Sequence, residues 1–361
     1  MKILALGATG VIGSQLLVCH GMREHEIHVT TRRDRAQTDR IRYIRGDAHD
    51  PAFLQGLLRQ DWDVIVDFML YDTAGFRSRI DSLLGATGQY ILTSSARVFA
   101  DSPSPITEGS PRLLDVLQDA VFLATDEYAL TKARQEDFLR ASGRRNWTII
   151  RPYITFGEGR LQLGPLEKES WLYRALRGRS IVFCKPLLNK QTTMTDAADV
   201  AAMLAALIGS PDANGEDFNL AGGPTVTWGE VLSAYLDVLD EHLGKRPAVI
   251  LQDLESFCQA AGSVPQIIYD RMYHRRFDST KIGQFFDTSG LSGCLPTLQR
   301  RLHAQISGGG LPQPDWWAEV LRDRVAGEHA ALSEIAGVKS RLRYLLYRHF
   351  SPAMISKMRS R

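Results

Sequence analysis

The 361-residue sequence predicts an α/β chain built on a doubly wound parallel sheet, and three observations carry that reading. Short apolar, β-branched runs recur with helix-length segments between them, which calls for crossover connections and parallel pairing. The first run ends at once in a glycine-rich turn, Gly7-Ala8-Thr9-Gly10-Val11-Ile12-Gly13. This regular alternation stops at about Gly157, and patchier helical segments among Gly- and Pro-containing loops follow. In order, residues 2–6, 27–31, 64–68, 90–93 and 147–150 read as strands. Residues 51–59 and 126–141 read as helices between them, and 197–207 and 228–243 as helices beyond them. Residues 307–314, Ser-Gly-Gly-Gly-Leu-Pro-Gln-Pro, read as a hinge into a last helical region. Three segments are therefore expected. They are a sheet domain over 1–157, a smaller α/β substrate region over 158–306 with part returning to the first domain, and a linker with a helical basic tail over 307–361.

Composition narrows the function classes. With 44% apolar and 23% charged residues the chain can bury a core, so fibrous and disordered readings fall away. No apolar run approaches the roughly 20 residues that cross a bilayer. Glycine follows Met1-Lys2-Ile3-Leu4-Ala5-Leu6 too early for a secretory leader. Cys19, Cys184, Cys258 and Cys294 form no Cys-x-x-Cys, so reduced thiols and a cytoplasmic protein are expected. The histidines show no His-Glu-x-x-His, and His25-Glu26-Ile27-His28 reads as a solvated boundary, so no metal is assigned. Net charge is +2, yet residues 338–361 hold seven Lys/Arg and no Asp/Glu, leaving a body of 36 bases against 41 acids. A basic surface for nucleic acid is therefore not expected.

The glycine turn carries the first chemistry. Gly7 permits a tight turn, Gly10 lets backbone approach a pyrophosphate, and Gly13 lets the following helix lie close to the strand. Free N–H groups of Thr9, Gly10, Val11 and Ile12 at the helix start suit phosphate oxygens. At the end of the second strand, Thr31-Arg32-Arg33 offers guanidiniums and no acid. A carboxylate there would hold the ribose hydroxyls of NAD; two arginines suit the 2′-phosphate of NADP, so NADP is preferred and NAD remains open. Tyr128 and Lys132 stand four residues apart on one helical face. Ser94-Ser95-Ala96 follows the strand at 90–93, where open parallel sheets bind ligands.

On these residues the chain resembles the extended short-chain dehydrogenases/reductases of the nucleotide-sugar epimerase and dehydratase type. The motifs are Gly7 to Gly13, Gly46-Asp47, Ser94-Ser95, Tyr128-x-x-x-Lys132 and Arg151-Pro152, with weaker agreement to about residue 300. The resemblance implies a Rossmann-type fold, with Tyr128 as proton carrier, Lys132 on the nicotinamide ribose and Ser95 on the reacting oxygen. It also implies Asp47 and Ala48 near the adenine, Phe68 and Met69 beside the cofactor, and Pro152 and Tyr153 near the nicotinamide amide. A free phenol has a pKa of about 10, and an adjacent ammonium lowers it.

Family dehydratases carry Asp-Glu directly after the catalytic hydroxyl; here Ala96-Arg97 stands there, so 4,6-dehydration is not expected and epimerisation or ketoreduction remains. Ile154 replaces the usual Asn for the sugar diphosphate, and Thr192 stands where an Arg is common. Lys185, Lys190, Arg271, Arg275 and Arg276 are candidate replacements, each otherwise a surface residue, with Lys190 and Arg271 preferred. The expected substrate is a nucleotide sugar, contacted by Ser95, Ala96 and Ile154. A ketone of another metabolite is the alternative, and a non-catalytic dinucleotide sensor or nucleic-acid-associated protein the reading from another class. A homodimer is the expected assembly. The basic tail reads either as an amphipathic segment on an anionic membrane or as a helix docked on its own domain, with Trp316-Trp317 as a packing anchor.

Overall fold

The computed structural model describes residues 1–310 and 313–350. Seven strands form one sheet: β1 (Lys2–Leu6), β2 (Glu26–Thr31), β3 (Ile41–Arg45), β4 (Trp62–Asp67), β5 (Thr87–Thr93), β6 (Trp147–Pro152) and β7 (Glu216–Leu220). They lie in the order β7-β6-β5-β4-β1-β2-β3, all parallel. Helices α1 (Val11–Val18), α2 (Pro51–Leu57), α3 (Tyr128–Arg140) and α4 (Ala197–Leu207) flank it. Because successive strand residues point to opposite faces, β1 splits its side chains between two cores. Ile3 and Ala5 pack with Leu16 and Leu17 of α1 and Val200 and Leu204 of α4. Leu4 and Leu6 join Leu54 and Leu57 of α2 and Leu139 of α3. Burial on both faces is why these strands read as unbroken apolar runs. The chain winds outward from β1 to β3 and, in the other direction, from β4 to β7. That reversal opens a crevice at the carboxyl ends of β1 and β4, where such sheets bind ligands.

The contacts divide the chain into two units, with part of the second expected segment returning to the first. Met1–Gly159, Gln191–Val226 and Tyr273–Thr297 make the first unit; Arg160–Lys190, Thr227–Met272 and Leu298–Arg361 make the second. Residues 158–306 thus split between the two, because β7 pairs with β6 from Glu216↔Thr148 to Leu220↔Pro152. The segment after 307 is not a separate appendage. Its helices α6 (Trp316–Ala326) and α7 (Val338–His349), beyond α5 (Trp228–Leu243), are built into the second unit by a buried charge cluster. Arg174 donates to Glu319, Asp323 and Glu328, each at 2.7 Å, and Arg179 to Glu334 at 2.9 Å. Tyr344 and Tyr347 of α7 are buried with Val320, Leu321 and Ile335, and pack edge-on against Trp316 and Trp317. The described part of the basic tail is therefore docked on its own unit through one face.

Candidate active site

The glycine turn is built as a phosphate cradle needs. Gly7 takes a left-handed φ of +71°, and a Cβ there would meet the Met69 sulfur at 2.7 Å, so the turn after β1 touches the residues after β4. A Cβ on Gly13 would lie 2.5 Å from the Ala8 Cα, backbone that cannot yield; this glycine lets α1 pack against the turn. Nothing stands within 4 Å of a Cβ placed on Gly10, the residue that caps α1 without a side-chain hydrogen bond. The Thr9 N–H, expected to be free, instead donates to the Gly7 carbonyl at 2.8 Å, while the uncapped start of α1 at Gly10 carries the positive end of the helix dipole. Thr9 and Gly10 are exposed, Val11 and Ile12 half-buried. At the end of β2, Thr31 Oγ1 donates to the Arg33 carbonyl at 3.0 Å and accepts its N–H at 3.2 Å. That hydroxyl fixes the bend from which Arg32 and Arg33 project into solvent. Asp47 lies exposed after β3, accepting from the His49 N–H at 3.0 Å, and Ala48 beside it is buried. These groups fit a dinucleotide: an open uncapped helix start, glycines where side chains would collide, and cations at the second strand's end.

Tyr128, Lys132 and Glu136 share one face of α3, one turn apart, and meet residues that follow β4 and β5. Glu127 caps α3, accepting the Ala129 N–H at 2.7 Å, and pairs with Arg97 at 2.5 Å. The Arg97 guanidinium lies 5.1 Å from the Tyr128 ring centre. The Arg97 N–H donates to Ser95 Oγ at 3.2 Å, which leaves the Ser95 hydroxyl proton to donate elsewhere. Lys132 is buried, its ammonium 3.5 Å from the Met69 carbonyl. Burial pushes Lys132 down to about 8, against the pull of Asp67 and Glu136. Asp67, at the end of β4, accepts from the Met69 N–H and the Tyr90 hydroxyl, both at 2.8 Å. Burial raises its carboxyl, while those bonds and Lys132 pull it back.

Beneath this layer Ser94 donates to Glu136 at 2.6 Å, and Arg151 holds Glu136 at 2.7 and 2.8 Å and Asp217 at 2.7 Å. Against burial, which raises it, Arg151 holds the Glu136 carboxyl below its usual value. The network ties β5, α3, β6 and β7 together directly under Ser95 and Lys132. Sequence reading missed it, although charged residues at the ends of apolar strands (Asp67, Arg151) were the visible signal. Phe68 and Met69 are half-buried and pack against the cores on the two faces of the sheet. Pro152 is half-buried, Tyr153 is buried against Phe277, and Ile154 is buried at 7%. Ala96 is fully buried, so it presents little surface to a substrate.

The candidate cations for a diphosphate fare differently. Arg271 and Arg275 are buried, not surface residues: Arg271 pairs with Asp270 and donates to the Gly164 carbonyl at 3.1 Å. Arg275 donates to the Phe99 and Ala100 carbonyls. Arg276 donates to the Pro103 carbonyl, Lys185 is exposed and Lys190 half-buried. Lys185, Lys190 and Arg271 belong to the second unit, the rest of the candidate residues to the first. Thr192 is fully buried and its hydroxyl has no partner among the described residues. His28, expected in solvent, is buried edge-on against Trp62 and bonded to Glu26 at 2.9 Å, which offsets the loss of water. Among the described residues no three His, Cys, Asp or Glu side chains are grouped as metal ligands would be.

A glycine turn at the switch point of a doubly wound sheet, with Tyr and Lys a turn apart on the neighbouring helix, defines a Rossmann-type dinucleotide-dependent enzyme. Residues 3–221 match the model of the NAD-dependent epimerase/dehydratase family, and the chain belongs to that family. No curated protein sequence matches it. Among solved structures it is similar to UDP-glucuronic acid 4-epimerase from Bacillus cereus in complex with UDP-glucuronic acid and NAD. That match has 16% identity over 85% of this chain and 98% of that one, with a TM-score of 0.62. MoeE5, in complex with UDP-glucuronic acid and NAD, gives 20%, 85%, 98% and 0.62. The epimerase Mth375 from Methanothermobacter thermautotrophicus gives 14%, 89%, 94% and 0.64. At these identities the likeness establishes the fold.

Proposed function

We propose that the chain interconverts a carbinol and a ketone on a nucleotide-linked sugar, with 4-epimerisation as the leading reaction. The observation that carries this is Ser95, just after β5, and Tyr128, at the start of α3, bridged by one residue, Arg97. A bound nicotinamide would supply the hydride acceptor and donor for the carbinol carbon. Tyr128 accepts the hydroxyl proton in the oxidative half and gives it back to the same oxygen in the reductive half. Lys132, held beside the Met69 carbonyl, favours the phenolate by its charge and would hold the ribose of the dinucleotide. Ser95 donates to the reacting oxygen, since its lone pair already receives the Arg97 N–H. No group beside Tyr128 serves dehydration: Glu127 is committed to the helix cap and to Arg97, and Arg97 occupies the place of the dehydratase acid. Gly7 to Gly13 would hold the pyrophosphate, Asp47 and Ala48 the adenine, and Phe68, Met69, Pro152 and Tyr153 the nicotinamide half. UDP-glucuronic acid in two of the similar structures supports a nucleotide sugar, with Ile154 as a contact.

Arg32 and Arg33 favour NADP over NAD, and with it a second reading, NADPH-dependent ketoreduction. Mass spectrometry of the purified protein, followed by NMR of products from a panel of nucleotide sugars, tests both. Tightly retained dinucleotide with C4 inversion and no net cofactor consumption supports the epimerase. Stoichiometric loss of NADPH supports the reductase, and conversion of no sugar overturns the substrate class.

A further inference from the structure

Helix α7 has two working faces, and the docked one accounts for only half of it. Tyr344 and Tyr347 turn inward; the Tyr344 hydroxyl bonds Asp323 and receives the Ala330 N–H at 2.9 Å. On the opposite side Val338 is 70% exposed, Leu342 57%, Leu345 36% and Leu346 46%. At 100° per residue these four form one stripe along the helix. Lys339 and Arg343 border the stripe on one side, Arg341 and Arg348 on the other. Of the fourteen large apolar side chains left exposed among the described residues, six fall between Val325 and Leu346. The apolar exposure of the molecule is thus concentrated at its most basic segment, and such a patch marks an interaction surface.

We propose that this face of α7 seats the protein on an anionic phospholipid bilayer, lying flat at the headgroup boundary. Twelve residues rise about 18 Å, too short to span a bilayer, and no described helix is long and apolar enough to cross one. An apolar stripe bordered by cations, with no acid from Val338 to Arg361, matches the chemistry of an anionic lipid surface. A second copy of the chain is disfavoured as occupant: an isologous contact would bring Lys339, Arg341, Arg343 and Arg348 against themselves. The proposal stands independently of the catalytic reading.

Co-sedimentation of the full chain with vesicles of phosphatidylcholine, or of phosphatidylcholine mixed with phosphatidylglycerol, tests it. The protein pellets with the anionic vesicles only, and less as salt rises. Lys339→Gln weakens binding about fivefold, the effect of one cation near an anionic surface. Leu342→Asp with Leu346→Asp abolishes it, and a thermal melt close to that of wild type shows α7 still docked, since both side chains are about half in water already. Truncation is a poorer test, because removing α7 also removes Tyr344 from Asp323. Wild-type protein that stays in the supernatant, or a double variant that pellets like wild type, overturns the proposal. So does a wild-type dimer in sedimentation velocity that the double variant loses without any vesicle binding.

Discussion

At the scale of single residues, the site depends on charges held where water would ordinarily shield them. Tyr128→Phe keeps the ring under Arg97 but removes the proton carrier, so turnover should fall by about 10²–10⁴ with dinucleotide affinity nearly intact. Steady-state kinetics with cofactor titration checks this, and near-normal turnover removes Tyr128 from the reaction. Lys132 gives two pH effects of opposite sign. Its folded value of about 8 lies below the 10.5 of an exposed lysine, so the unfolded chain binds more protons between those values and stability rises with pH there. The full change is about 3 kcal/mol, and it should vanish from chemical denaturation curves of Lys132→Met. Activity runs the other way, because the cation is lost over the same range: kcat/KM should decline above about pH 8. The glycines, Ser95, Tyr128 and Lys132 were legible as spacing along the chain. The Arg97–Glu127 pair and the nearness of Asp67 to Lys132 were not, because no spacing rule joins residues 30 or 65 positions apart.

Elements hold those residues in place. Gly13→Ala would drive a methyl into the Ala8 backbone, so α1 must lift. Overpacking of this kind costs about 1–3 kcal/mol, and thermal melts with and without dinucleotide should show both lower stability and lost binding. Arg151→Met leaves Glu136 buried without its main partner, a loss of about 3–5 kcal/mol measurable by urea unfolding. Because Glu136 is held below its usual value in the native state, its contribution is present at neutral pH and is lost as pH falls through that lowered value; the variant should lack this acid-side slope. Parallel strands buried on both faces announced themselves as apolar runs. β3 did not, since Ile41-Arg42-Tyr43-Ile44-Arg45 lies at the sheet edge and keeps its arginines in water. β7 escaped for a different reason: Glu216-Asp217 looks like loop until Arg151 and Lys281 are seen beside it.

At the level of the whole molecule, the C-terminal helices are structural rather than optional. Arg174 is buried against carboxylates supplied by residues 319–328, so a chain ended at Gly309 would strand that cation without counter-charge. Such a chain should lose soluble yield or melt well below full length in calorimetry; equal melting would deny the cluster that role. The placement of β7 reaches further still. The sheet's last strand is synthesised some sixty residues after its neighbour β6, and residues 273–297 of the same unit come later again. A ribosome therefore delivers an incomplete sheet whose open edge must wait, through the making of another unit's first portion, for its closing piece. Vectorial synthesis and pairing over such separations make slow maturation and a need for chaperone cover the expected life of the nascent polypeptide.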